Sequence, residues 1–209
     1  MRLKPFILST ACVLAAGCGG GGSSSGPSTL SVTIPTSPIT SGTSVQAVAS
    51  ITDASGATSP ASNVTWSSSN RNVLAVTSSG LLTAAKAGAA IITATSGSLI
   101  GELAVTVIPG APNRIVIYSG DGQVGNRGGT LPDPLCTNVL DAAGNLLTGI
   151  TVTYVVATGG GAIAAPTSPA TDGQGIATSG HWTLGLGTGV QTVTATASVG
   201  SVTFHANSQ

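Results

Sequence analysis

Two stretches of this chain repeat one plan in the same order, and that repeat limits the fold more than any other feature. One reads Ile51-Thr52-Asp53-Ala54-Ser55-Gly56, the other Val139-Leu140-Asp141-Ala142-Ala143-Gly144. Eleven residues beyond each aspartate stands a Val-Thr-aromatic triplet, Val64-Thr65-Trp66 in the first copy and Val152-Thr153-Tyr154 in the second. Gly88 is followed four residues on by Ile92-Thr93-Ala94-Thr95, and Gly189 at the same offset by Val193-Thr194-Ala195-Thr196. Each copy then closes on another alternating run, Leu103 to Ile108 and Val202 to Ala206. Three matches in one order argue for two domains of common plan rather than for chance.

Within a copy the pattern is that of strands. In Val45-Gln46-Ala47-Val48-Ala49-Ser50-Ile51, the residues Val45, Ala47, Ala49 and Ile51 fall on one face at period two. The Asp-Ala-x-Gly that follows offers a side-chain acceptor to nearby backbone amides and a glycine free to take positive φ, which suits a reversal. Trp66 then falls on the next strand, where its ring is expected to fill the space between two sheets, as is Tyr154 in the second copy. No segment carries apolar residues at helical spacing over several turns. The fold class expected is all-β, two tandem β-sandwiches, with Ile108-Pro109-Gly110-Ala111-Pro112 as the break between them.

Charge excludes whole classes of function. Lys and Arg number 6, and Asp and Glu number 6. Arg2 and Lys4 stand at the very start; the others are scattered singly, with no basic patch to neutralise phosphates. No nucleic-acid partner is expected.

The start of the chain has a character of its own. After Arg2 and Lys4 comes an apolar run from Pro5 to Ala16, too short to cross roughly 30 Å of hydrocarbon as a helix. Leu14-Ala15-Ala16-Gly17 precedes Cys18, and a Gly/Ser tract, Gly19 to Ser25, follows it. This order resembles a bacterial lipoprotein signal peptide with its lipobox. The resemblance implies removal of residues 1–17, acylation of Cys18 and a flexible tether over 18–28. Membrane association would then run through the acyl chains on Cys18. Gly19 in place of an aspartate implies an outer-membrane or cell-surface address. Cys12 would leave with the signal and Cys18 would carry lipid. Cys136 is then unpaired, either a free thiol or an intermolecular link. Its place after Leu135, which the pattern turns inward, sets the thiol toward the outer face, where it is expected to be partly covered and unreactive, with a disulfide-linked dimer as the alternative.

The two copies resemble known domain families. Residues 29–108 are similar to a bacterial Ig-like domain of group 2, through Asp53-Ala54-Ser55-Gly56, Val64-Thr65-Trp66-Ser67-Ser68-Ser69-Asn70, Gly80-Leu81-Leu82-Thr83-Ala84 and Lys86-Ala87-Gly88. After the linker 109–112, residues 113–209 resemble the group 1 Ig-like domain repeated in invasin and intimin. There the motifs are Leu131-Pro132-Asp133-Pro134-Leu135, Asp141-Ala142-Ala143-Gly144-Asn145, Gly149-Ile150-Thr151-Val152 and Thr171-Asp172-Gly173-Gln174-Gly175. Tyr154 stands where that family usually has tryptophan, and Cys136 where it usually has an apolar residue. The resemblance implies cell-surface or adhesion roles in which such domains serve as spacers.

Candidate chemistry is sparse. Gly120-Asp121-Gly122-Gln123-Val124-Gly125 matches a dinucleotide fingerprint. The residues that follow, Asn126 to Pro134, cannot form the helix whose N-terminus would hold a pyrophosphate, so no nucleotide is expected. Asp121, Asp133, Asp141 and Asp172 each stand alone beside Gly or Pro, a turn pattern rather than a calcium loop. The histidines are His181 and His205, no serine stands in a nucleophile elbow, and no carboxylate pair marks a glycosidase. No enzyme activity, no cofactor and no metal site is expected. The connection Ser119 to Pro134 is read as part of the domain's ordinary pattern rather than as a binding loop.

The function expected is that of a lipid-anchored surface spacer or adhesion-type scaffold. With no domain after the last strand to act as a receptor-binding tip, the spacer role is favoured over direct adhesion. A rival is a module for cell-wall or extracellular polysaccharide, and the aromatic singled out as its sugar platform is Trp182, beside His181.

Overall fold

The computed structural model describes residues 28–209, and these divide into two compact units between Ile108 and Pro109. The signal segment 1–17, the acylation site Cys18 and nearly all of the tether lie outside the described residues. Each unit is a sandwich of β-sheets, and no helix is present among the described residues.

The first unit contains β1 (Thr29–Thr33), β2 (Ile39–Thr40), β3 (Ser44–Gln46), β4 (Val48–Thr52), β5 (Thr58–Pro60), β6 (Thr65–Ser68), β7 (Leu74–Val76), β8 (Leu81–Ala84), β9 (Gly88–Ser96) and β10 (Leu99–Ile108). One sheet has the order β2-β10-β9-β6, with β2 parallel to β10 and the other pairs antiparallel. The facing strands form two shorter ladders, β1-β4-β5 and β3-β8-β7. The two ladders meet at Ala47, which interrupts the run from β3 to β4 and donates its N–H to the Gly80 carbonyl at 2.9 Å. Period-two alternation governs the core. Ala90, Ile92 and Ala94 of β9 point inward with Val105 and Val107 of β10, against Leu30, Val32, Ala49, Leu74 and Leu82. With about 1.5–3 kcal/mol per buried aliphatic side chain, these residues carry the unit.

The second unit contains β11 (Arg114–Ser119), β12 (Gln123–Gly125), β13 (Cys136–Leu140), β14 (Thr153–Thr158), β15 (Gly161–Ile163), β16 (Ile176–Thr178), β17 (Trp182–Leu184), β18 (Gly189–Ala197) and β19 (Gly200–Ser208). Its four-stranded sheet, β12-β19-β18-β14, reproduces β2-β10-β9-β6 down to the parallel edge pair. The register agrees as well: Trp66 lies opposite Ala94 and Tyr154 opposite Ala195. The repeat in the sequence is therefore a repeat of topology. Facing this sheet are β11-β13-β16 and the two-stranded β15-β17. Leu135, Val139, Val152, Tyr154, Trp182, Val193 and Phe204 fill the space between.

The aspartate turns are closed as the Asp-x-x-Gly pattern requires. In the first, Gly56 donates to the Asp53 carbonyl, and the Ser55 and Ala57 amides donate to Asp53 Oδ1. In the second, Gly144 donates to the Asp141 carbonyl and Asn145 to Asp141 Oδ1. Gly56 and Gly144 sit at φ of 85° and 82°, a region that side chains with a Cβ avoid.

Candidate functional site

The structure takes apart the pair expected to contact a ligand. Trp182 is fully buried. On β17 it alternates with Thr183 and shares the inward face of Leu184, so the Trp-Thr-Leu triplet is an ordinary core pattern. Its Nε1 is buried without a hydrogen-bond partner. His181 lies outside the core and places Nδ1 3.1 Å from the Leu131 carbonyl. Trp182 therefore presents no ring face to a sugar.

Cys136 is covered. It is buried, and the reason is its strand. β13 runs between β11 and β16, so Cys136 has Ser119 beside it on one side and Thr178 on the other. Its Sγ lies 3.5 Å from Thr178 Oγ1 and 3.9 Å from the Pro134 carbonyl. A covered thiol is a poor partner for an intermolecular disulfide.

Asp53, Asp141 and Asp172 each accept from nearby backbone amides, whereas Asp121 accepts from the His205 amide and lies 3.7 Å from its ring. Burial raises the Asp141 carboxyl's pKa, but the Asn145 side chain and the amides of Gly110 and Asn145 outweigh it and hold the group below the usual carboxylate value. The Ser55 hydroxyl and Ala57 amide lower Asp53, and the amides of Ile176 and Gln174 lower Asp172. No three His, Cys, Asp or Glu side chains gather around a point among the described residues.

The glycine-rich segment at 120–125 runs into β12, an edge strand parallel to β19. Gln123 ties it down, its Nε2 donating to the Gly120 and Asp133 carbonyls while its Oε1 accepts from the Asp133 amide. The rest of the connection to Pro134 is fastened to β17: Leu131 donates to the Trp182 carbonyl and Leu184 to that of Gly129.

Trp66, expected inside, is only half-buried. It stands beside the split between the two ladders of the first unit, against Gly80, where a Cβ would come within 3.0 Å of its Cε2. A shallow cleft of about 340 Å³, broadly open to solvent, lies here, lined by Gln46, Ala47, Val48 and Ala49, by Pro60, Ala61, Val64 and Trp66, and by Ser78 and Ser79. These come from four separated segments, so no spacing along the chain announces the cleft. Tyr154, at the matching register of the second unit, is closed in instead: its ring lies 6.1 Å from that of Phe204 and its hydroxyl reaches the opposite sheet.

The architecture is that of tandem Ig-like β-sandwiches. Residues 29–107 match the family model of the bacterial Ig-like domain (group 2). No curated protein matches the chain. Among solved structures it is similar to the surface-layer protein SbsC, domains 1–6, at 19% identity and TM-score 0.41, covering 86% of this chain but 27% of that one. It is also similar to FdeC, an adhesin of Escherichia coli, at 18% identity and TM-score 0.48, covering 87% of this chain and 64% of the other. The D00–D0 domain of intimin gives 15% identity and TM-score 0.48, covering 85% and 96%. The chain thus spans about a quarter of the length of the SbsC chain.

Proposed function

We propose that this chain is an exported, lipid-anchored envelope protein whose two Ig-like sandwiches form a non-enzymatic spacer and adhesion-type interaction scaffold at the cell surface. The observation that carries the reading is the repeated sandwich behind a lipobox-like start: both four-stranded sheets share one strand order and register, and residues 29–107 match a bacterial Ig-like domain. Residues 113–209 are read as a group 1 Ig-like domain on the motifs around Asp141 and Asp172. Asp53, Asp141 and Asp172 close turns and the glycine-rich segment leads into an edge strand, which supports the scaffold reading.

Acylation of Cys18 would hold the chain on a membrane, the outer one in a two-membrane cell. Cys18→Ser is expected to abolish acylation and move the protein into the soluble fraction; membrane association that survives the change refutes the anchor. Protease treatment of intact cells, read with an antibody against the second unit, tests the address. Loss of the signal supports the cell surface, and protection until the envelope is opened refutes it.

A further inference from the structure

We infer that the cleft beside Trp66 is a binding site for an uncharged saccharide unit of a polysaccharide. This goes beyond the scaffold reading and does not depend on it. Three features of the cleft define the ligand.

The first is neutrality. None of the side chains lining the cleft is charged, so an acidic or basic ligand would lose hydration there without finding a counter-charge. The second is a mixture of surfaces. The indole of Trp66, with Pro60, Ala61 and Val64, offers apolar area of the kind that the C–H face of a pyranose covers. Gln46, Ser78 and Ser79 bring polar groups to the same walls. Both amide hydrogens of Gln46 are already given away, to the Ala47 carbonyl at 2.9 Å and the Ser79 carbonyl at 2.8 Å. Its Oε1 accepts from no protein donor among the described residues, which leaves it for a ligand hydroxyl. A ring face beside a few placed polar groups is the usual composition of a small-ligand site.

The third feature is that the walls are already set. The turn from Thr77 to Gly80 is closed by the Gly80 amide on the Thr77 carbonyl, and the Thr77 hydroxyl accepts from Leu81 and meets Ser79 Oγ at 2.9 Å. Gln46 ties that turn to the end of β3. Gly80 lets the indole approach the backbone where a side chain would push it away. Binding therefore orders little that is not ordered beforehand, which favours affinity for a weakly interacting neutral ligand.

Tryptophan fluorescence of the full chain tests this, because Trp182 is buried in the other unit and supplies a constant background. The probes are dextran, a soluble β-glucan, a mannan and, as a charged control, polygalacturonate. Saturable change with at least one neutral glycan, with affinity weakened tenfold or more in Ser78→Arg by fluorescence and in Trp66→Phe by isothermal titration calorimetry, is the expected result. Ser78 is exposed and its side chain makes no hydrogen bond among the described residues, so Ser78→Arg is expected to block the cleft while thermal unfolding stays as in the parent. No change with any neutral glycan overturns the assignment, as does binding that survives Ser78→Arg or that prefers polygalacturonate. Self-association lost in Ser78→Arg would give the cleft to a second copy and overturn it equally.

Discussion

The Tyr154 hydroxyl donates to the Ala177 carbonyl at 2.7 Å, from one sheet of the second sandwich to the other. It also lies 2.9 Å from Thr137 Oγ1, and Thr137 and Ala177 are cross-strand partners on β13 and β16. A single side chain thus meets two buried polar groups at once. Tyr154→Phe leaves both behind and is expected to cost about 1–3 kcal/mol in urea unfolding. Burial also pushes the Tyr154 pKa up, to about 12. A raised pKa means that the fold favours the neutral phenol, so stability holds below about 10 and falls as pH rises from there through about 12. Tyr154→Phe should lose much of that alkaline slope; an unchanged slope shows that the ring titrates freely.

Asp141 sets the acid side. Its carboxylate accepts from Gly110 at 2.8 Å, from the Asn145 amide at 2.8 Å and from the Asn145 side chain at 2.7 Å. The folded pKa is lowered, so the stability it contributes is present above the unfolded value near 3.9 and is lost as pH falls below it. Asp141→Ala is expected to cost about 1.5–3 kcal/mol at neutral pH, the range for hydrogen bonds to a charged group. The variant's unfolding midpoint should also vary less between pH 5 and 3, a narrower gap from the parent that circular dichroism against urea can follow.

Trp182 is a test of core against site. Trp182→Ala should cost about 3–5 kcal/mol in the second unit, as expected for removal of a buried indole. Glycan binding by the first unit should be untouched under conditions where both units stay folded. A fully stable Trp182→Ala protein would mean that the ring is not packed as the structure has it.

Cys136 should react slowly. In a chain with Cys12 and Cys18 replaced by Ser, labelling by a disulfide reagent is expected to be at least a hundredfold slower in the native state than in urea. Non-reducing electrophoresis should show monomer. Rapid native labelling, or a covalent dimer formed without denaturant, would place the thiol at the surface.

Local pattern carries some residues of this chain and fails at Trp66, Trp182 and Cys136. The period-two runs around Ala47 and Ile92 announce strands because side-chain alternation is a local property of extended backbone. Asp53 and Asp141 announce turns because the amides that donate to their carboxylates lie only two to four residues away. Trp66 and Trp182 could not be sorted in the same way. The pattern sets Trp66 in the core and Trp182 at the surface, yet Trp182 is fully buried and Trp66 packs against its core only partly buried. Trp182 shares the inward face of Leu184, a signal present in the triplet, whereas Trp66 stands beside a split between ladders that no local pattern marks. Cys136 was placed on the outer face correctly in phase, yet that face is covered by Ser119 and Thr178 from neighbouring strands.

The sequence by itself determined what depends on near neighbours: the all-β class, the duplicated strand plan and the turns that close on their own aspartates. Only the tertiary structure decided which ring is buried, which thiol is covered and where a neutral cleft opens. Those outcomes depend on what residues far along the chain place opposite one another. Gln46, Trp66 and Ser79 become neighbours only after β3, β6 and the turn before β8 have packed.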